Sequence, residues 1–285
     1  MKASARTSEF RHVPIARVRD YWNARPCNLR HSPAPVGTRE YFDQVEARKY
    51  FVEPHIPAFA DFERWRGRRV LEIGCGLGTD TINFARAGAD VTAVDVSAAS
   101  LDLVRRRAAL FGVADRIRCL EADAETLSSR LPPQSFDLVY AFGVVHHSPD
   151  PSRIIQQIRR HYVDAGSTLK LMVYHRRSWK VMGILLGTAK GRFWELDQWI
   201  ARHSEAQTGC PVTYTYTRAS VKDLLGTGFA PVAVHVDHIF PYRVADYVRY
   251  RYVKPWYFRY LPRPAFRALE RRLGWHLCVT ARPVT

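Results

Sequence analysis

The chain has 285 residues. That is enough for one large domain or a core with a cap, at roughly 100–200 residues per domain. Hydrophobic residues make up 47% and charged residues 25%, a soluble globular balance that excludes a disordered or fibrous chain. No apolar run approaches the ~20 residues a bilayer span needs, and the most apolar stretch, Val181–Gly187, is far shorter. The formal charge is +16, from 36 arginines and seven lysines among its basic residues. Biased codon usage explains such an arginine excess as well as function does. Physically, the surface attracts anions: nucleic acid, membrane headgroups or acidic substrates. The start, Met1–Arg6, is followed by charged residues with no apolar core and does not read as a secretory signal. The cysteines Cys27, Cys75, Cys119, Cys210 and Cys278 form no CxxC pair. No disulfide framework and no metal site are expected, and a reducing, cytoplasmic setting fits.

In chain order, residues 1–65 are rich in proline and aromatics, with one clear helical stretch from Arg39 to Phe51. They read as an N-terminal helical cap or lid on a core spanning 66–285. From Arg68 an alternation begins. Val70–Ile73 reads as a strand, Thr79–Ala87 as a helix, Asp90–Asp95 as a strand, and Ser97–Phe111 as a capped helix stopped by Gly112. Strands follow at Arg116–Leu120, Phe136–Phe142 and Ser167–Tyr174, the last two separated by a helix from Asp150 to His161 with proline in its first turn. Strands alternating with helices indicate βαβ units and a parallel sheet, an α/β fold. Two aromatic insertions, at about 175–215 and 240–272, interrupt the rhythm. Between them a helix at Arg218–Leu225 and a strand at Pro231–Val236 resume it, and Trp275–Ala281 closes as a last strand.

The densest signal is Glu72-Ile-Gly-Cys-Gly-Leu-Gly78 at the end of the first strand. Glycines between a strand and a helix let the backbone approach a ligand that side chains would keep away. Asp95 ends the second strand, where a carboxylate accepts both ribose hydroxyls of an adenosine; nicotinamide enzymes use the same device. Alternatively, the glycines only make a tight turn and Asp95 only caps the next helix.

The glycine spacing, followed by Thr79-Asp80, resembles the S-adenosylmethionine (SAM) motif of class I methyltransferases. Asp95, the Glu121-Ala-Asp123-Ala124 segment after the third strand, and the run from Phe136 through Phe142 to Pro151 resemble the next three motifs of the ubiquinone and small-molecule branch. The resemblance covers roughly 68–175. It implies a Rossmann-like, seven-stranded, mostly parallel sheet with its last strand antiparallel and helices on both faces. It also implies SAM as cofactor, S-adenosylhomocysteine as product, and a cofactor site of Glu72, Gly74, Gly76, Gly78, Thr79, Asp95, Val96, Asp123, Ala124 and Phe142. Asp123 would accept the adenine amine. Cys75 needs no redox role, since a buried thiol packs as a small hydrophobe.

Methyl transfer requires alignment of nucleophile, methyl and sulfur, and a hydroxyl nucleophile benefits from a base. His146, after the fourth strand, is the first choice, because histidine exchanges a proton near neutral pH. In phosphoethanolamine methyltransferases a histidine at the equivalent place works with an N-terminal tyrosine, a part that Tyr21 could play. Otherwise His146 packs the loop. Substrate-binding candidates are Arg25, Arg30 and His31 in the polar segment before the Arg39 helix, Tyr41 on that helix, His147, and Tyr174, His175 and Arg176 at the end of the fifth strand. Glu46 and Arg48 lie two apart and cannot share a helix face.

The stretch 242–260 interleaves aromatic and basic residues. Such a surface stacks bases, sits at a membrane interface or roofs a substrate pocket, and the last is preferred. The sequence therefore reads as a SAM-dependent methyltransferase of a small molecule, hydrophobic or acidic. An RNA-modifying methyltransferase and a non-catalytic SAM- or nucleotide-binding partner subunit are the rivals, peripheral membrane contact stays open, and nothing specifies an oligomeric state.

Overall fold

The computed structural model describes residues 9–204 and 209–284. The reading of Met1–Arg6 falls outside these residues, as does part of the first insertion. Among the described residues, no helix is long and apolar enough to cross a membrane.

Before the sheet come α1 (Ile15–Ala24), α2 (Arg39–Val52) and the short α3 (Ile56–Ala60). Only α2 was legible in the sequence, because it alone has a strong cap: Thr38 Oγ1 accepts from the Tyr41 N–H at 3.2 Å. Helix α1 has no side-chain cap and an irregular end at Arg25. The alternating region gives β1 (Arg69–Ile73), α4 (Thr79–Arg86), β2 (Asp90–Asp95), α5 (Ala98–Phe111), β3 (Ile117–Glu121), β4 (Leu138–Phe142), α6 (Pro151–His161) and β5 (Thr168–Tyr174). Ser97 and Asp150 cap α5 and α6 through their side chains, and Gly112 ends α5 at a φ of 68°. The first insertion folds into α7 (Trp179–Gly183) and α8 (Leu196–His203). Helix α9 (Ser220–Leu225) starts later than expected. Thr217 and Ser220 exchange side-chain-to-backbone bonds of 2.9 and 3.1 Å, which turn the chain first. Strand β6 (Phe229–Asp237), the second insertion with α10 (Val244–Tyr247), α11 (Trp256–Arg259) and α12 (Arg263–Leu273), and β7 (His276–Pro283) complete the order.

The strands form one seven-stranded sheet in the order β3-β2-β1-β4-β5-β7-β6. β7 runs antiparallel to both β5 and β6, and the pairs among β1 to β5 are parallel. The central strands β1, β4 and β5 are buried on both faces, so their apolar residues alternate between two cores. Val70, Leu138 and Tyr140 pack with Ile82 and Phe84 of α4 on one face. Leu71, Ile73, Val139 and Ala141 pack with Ile154, Ile155 and Ile158 of α6 on the other.

The segment before β1 is tied down by charge as well as by packing. Arg107 of α5 is fully buried and donates to Glu46 Oε2 of α2 at 2.6 Å and to Thr79 Oγ1 at 2.8 Å. Arg48, on another face of α2, lies under Tyr247 and Tyr250, with its guanidinium 4.0 and 4.3 Å from their ring centres. The aromatic stretch 242–260 thus clamps α2, with Phe51 against Tyr252 at 4.8 Å. Among the described residues it contributes nothing to the wall of the cavity described next, which corrects its expected place as a pocket roof.

Candidate functional site

Strands β1 and β4 are neighbours, while the chain leaves β1 toward β2 and β3 on the other side. This reversal is the switch point where open α/β sheets hold ligands, beyond the carboxyl ends of the strands. The principal cavity opens there.

The glycine turn forms its floor. At Gly74, φ is 73°, and a Cβ would stand 2.1 Å from Val144 Cγ2. Any side chain would therefore collide with the loop after β4 and meet backbone strain. Gly76 donates its N–H to Asp95 Oδ2 at 2.9 Å, and Ser97 donates its own to Asp95 Oδ1 at 2.9 Å. Burial pushes the Asp95 carboxyl up, and these backbone donors pull it back. Val96, Asp123 and Ala124 continue the wall, with Asp123 braced by the Glu125 N–H at 2.9 Å. Glu72, Thr79 and Phe142 line it as well. Gly78 does not: it begins α4 and faces Val104.

The wall runs into a buried polar network through Glu72, Asp80 and Lys49. Glu72 accepts from Thr81 Oγ1 at 2.5 Å. Asp80 gathers the Lys49 ammonium at 2.7 Å, the Tyr50 hydroxyl at 2.9 Å and the Tyr140 hydroxyl at 3.0 Å. Burial works against the charge on Lys49, yet Asp80 beside it, with Glu53 and Glu72, holds its pKa above the usual range. Burial and then Asp80 push the Glu72 carboxyl up to about 8.

The two histidines after β4 part company. His147 lines the cavity, its Nδ1–H donating to the Val212 carbonyl at 2.8 Å. His146 is fully buried behind it, its ring 3.9 Å from that of Tyr174. Among the described residues neither ring nitrogen of His146 has a hydrogen-bond partner, and burial pushes its pKa well down. Both rings of the short turn Val145–His147 are buried, 4.2 Å apart, but only that of His147 reaches the cavity wall.

The other candidates scatter. Tyr174 lines the cavity. Tyr21 does not, but its ring meets that of Trp22 at 5.0 Å, and Trp22 lies on the wall, 5.4 Å from His147. Tyr41 is buried in the core, its hydroxyl on the Leu29 carbonyl at 2.8 Å. Arg25 and Arg30 are exposed. His31 sits 3.3 Å from the Tyr247 hydroxyl, outside the cavity. His175 donates Nδ1–H to the Gly274 carbonyl at 3.1 Å. Arg176 is consumed by an ion pair with Asp197.

Sequence reasoning missed Ile15, Val18 and Trp22 of α1, Lys49 of α2, Glu53 just after it, and His276 at the start of β7, all on the wall. Lys49 carried no motif. Only Asp80, a buried acid directly after the glycine turn, hinted that a cation must approach.

A family model described as a methyltransferase domain matches residues 70–166. The ubiquinone biosynthesis O-methyltransferase of Paracidovorax citrulli is 38% identical over 95 residues, 33% of this chain and 39% of the relative. That of Neisseria meningitidis is 38% identical over 104 residues, 36% and 41% respectively. The chain thus spans less than half the length of these curated relatives. Two solved structures share the fold at 16% identity. Geranyl diphosphate C-methyltransferase from Streptomyces coelicolor has a TM-score of 0.59 over 97% of this chain and 99% of its own. Magnesium protoporphyrin IX methyltransferase from Synechocystis, with bound S-adenosylhomocysteine, has 0.59 over 95% and 100%. Residues 70–166 match a methyltransferase domain, and the sheet built around them has the fold of class I SAM-dependent methyltransferases.

Proposed function

We propose that the protein transfers a methyl group from SAM to a small-molecule acceptor. One observation carries this reading: Glu72, Asp95 and Asp123, from the ends of three consecutive strands, face one cavity over a glycine turn at the switch point. Acids there suit a ligand with a ribose and an exocyclic amine, as the family resemblance expects. The match of 70–166 to a methyltransferase domain supports the same reading.

The remaining wall suits an acceptor. Trp22, Phe142, Met172 and Tyr174 are apolar surfaces next to His147 and His276. In this reading residues 1–65 act as the lid, since α1 and α2 both contribute wall residues, and the enclosed cavity aligns acceptor and methyl donor. His147, on the wall, takes the place of His146 as the preferred base. An acceptor of modest size is favoured over RNA, because Trp22, Phe142 and Tyr174 line the cavity, whereas within 242–260 Tyr247, Tyr250 and Tyr252 are spent on Arg48 and Phe51 and only Trp256, Tyr257 and Tyr260 stay well exposed.

Calorimetry tests the cofactor. SAM should bind, NAD should not, and Asp95→Ala should weaken SAM at least tenfold. Tight NAD binding without SAM binding would defeat the reading. Mass spectrometry of extract incubated with deuteromethyl-SAM would then name the product.

A further inference from the structure

Three buried or half-buried histidines and a carboxylate converge at the β7 side of the cavity, far apart in sequence. Glu53 is the residue after α2, His55 follows it, His238 follows β6, and His276 opens β7. One ligand atom each from Glu53, His238 and His276 lies within 4.8 Å of the other two. The His276 Nε2 is 3.5 Å from Glu53 Oε1, and its Nδ1 is 3.0 Å from His55 Nε2. Glu53 and His276 line the cavity.

We propose that Glu53, His238 and His276 bind one divalent transition-metal ion of the zinc type, facing the cavity. Two imidazoles and a carboxylate are a donor set that such ions accept, with a fourth position left for an exogenous ligand. Ligand atoms about 2.0–2.1 Å from a tetrahedral ion stand about 3.4 Å from one another. The Glu53–His276 pair already has that separation, and the widest pair, within 4.8 Å, would have to close toward it. A metal-bound imidazole is normally held through its other ring nitrogen. His276 has such a partner: with Nε2 on the metal, Nδ1 would carry the proton and donate it to His55 Nε2, 3.0 Å away.

A hydrogen-bonded cluster alone explains less. His238 is buried and holds a left-handed backbone at φ 68°. Its ring is 4.6 Å from that of His276 and 5.7 Å from that of His55, so three imidazoles crowd together beside the Glu53 carboxylate. The fourth position would take an ionised oxygen or sulfur of a small ligand entering the cavity. Metal binding is independent of the methyl-transfer reading.

The test is titration of the chelator-stripped full chain with Co²⁺ alone, followed by visible ligand-field absorption, then by Zn²⁺ displacement. Wild type should take up one equivalent of Co²⁺ and release it to Zn²⁺. His238→Gln, His276→Gln and Glu53→Gln should each weaken Co²⁺ at least tenfold, while His235→Gln, at an exposed position on β6, should not. Glu53 is only half-buried, so its variant decides the matter if a histidine variant fails to fold. No uptake by wild type, or unchanged affinity in folded Glu53→Gln, overturns the site. Because no SAM is present, a failure here leaves the methyltransferase reading untouched, and failure of SAM binding leaves this titration interpretable.

Discussion

Single residues at this site work against their own solvation. Glu72 is buried beside Asp80, and its carboxyl is pushed up to about 8 from an ordinary 4.5 by burial first and by that neighbour second. In the unfolded chain it has already ionised well below neutrality. Between about 4.5 and 8 the folded protein therefore holds a proton that the unfolded chain has released. Stability is largest below this window and declines as pH rises through it, at up to about 1.4 kcal/mol per pH unit from this group. Glu72→Gln removes the titration and keeps a polar partner for Thr81. Urea unfolding of the ligand-free protein at pH 6 and pH 8 should show a smaller loss in the variant than in wild type. Equal losses would mean that Glu72 ionises normally.

Between elements, the buried Arg107 is the chief electrostatic tie. It links α5 to α2 and to the start of α4 through Glu46 and Thr79. Glu46 is one-fifth exposed and also meets Arg86 at 3.2 Å. Removing the carboxylate leaves a guanidinium in the interior with Thr79 and distant carbonyls as partners. Glu46→Ala should cost about 3 kcal/mol, the low end for stranding a buried charge, whereas Asp102→Ala, which breaks the exposed pair with Arg105, should cost under about 1 kcal/mol. Chemical denaturation of the two variants measures the contrast. The same scale shows what the sequence could disclose. Strands β1, β2, β4 and β5 were legible because nearly all their residues are buried, and β3 because it follows a helix that ends at Gly112. Each of the acids Glu72, Asp95 and Asp123 sits at or just past a strand end, so position in the chain predicts position in space. His146 and His147 defeated this logic: adjacent in a short turn, they point to different surroundings. Lys49, Glu53, His238 and His276 were illegible for the opposite reason. Each is ordinary in its local context and acquires meaning only when α2, β6 and β7 meet.

At the scale of the whole molecule, the cavity is closed by two parts of unlike construction. Its floor is the rigid end of the sheet. Its cover comes from α1, from α2 and from the connecting segment that carries Cys27 and Asn28. Helix α1 lacks a side-chain cap, and its end at Arg25 is irregular, so the cover should be the less stable part. A ligand touching both parts stabilises their association by about 2.7 kcal/mol at a hundredfold excess over its dissociation constant. Cys27 reports on this directly. It is exposed yet lies on the cavity wall, its Cβ 3.8 Å from where a Cβ on Gly76 would stand. The other thiols are less open: Cys75, Cys210 and Cys278 are buried and Cys119 is half-buried. Brief alkylation read by peptide mass spectrometry should therefore label Cys27 first. Saturating SAM should slow that labelling at least tenfold and leave Cys119 unchanged, since Cys119 lies on β3 and not on the cavity wall. If Cys27 reacts at the same rate with and without saturating SAM, the segment between α1 and α2 does not close over the cofactor, and its place as a lid is lost.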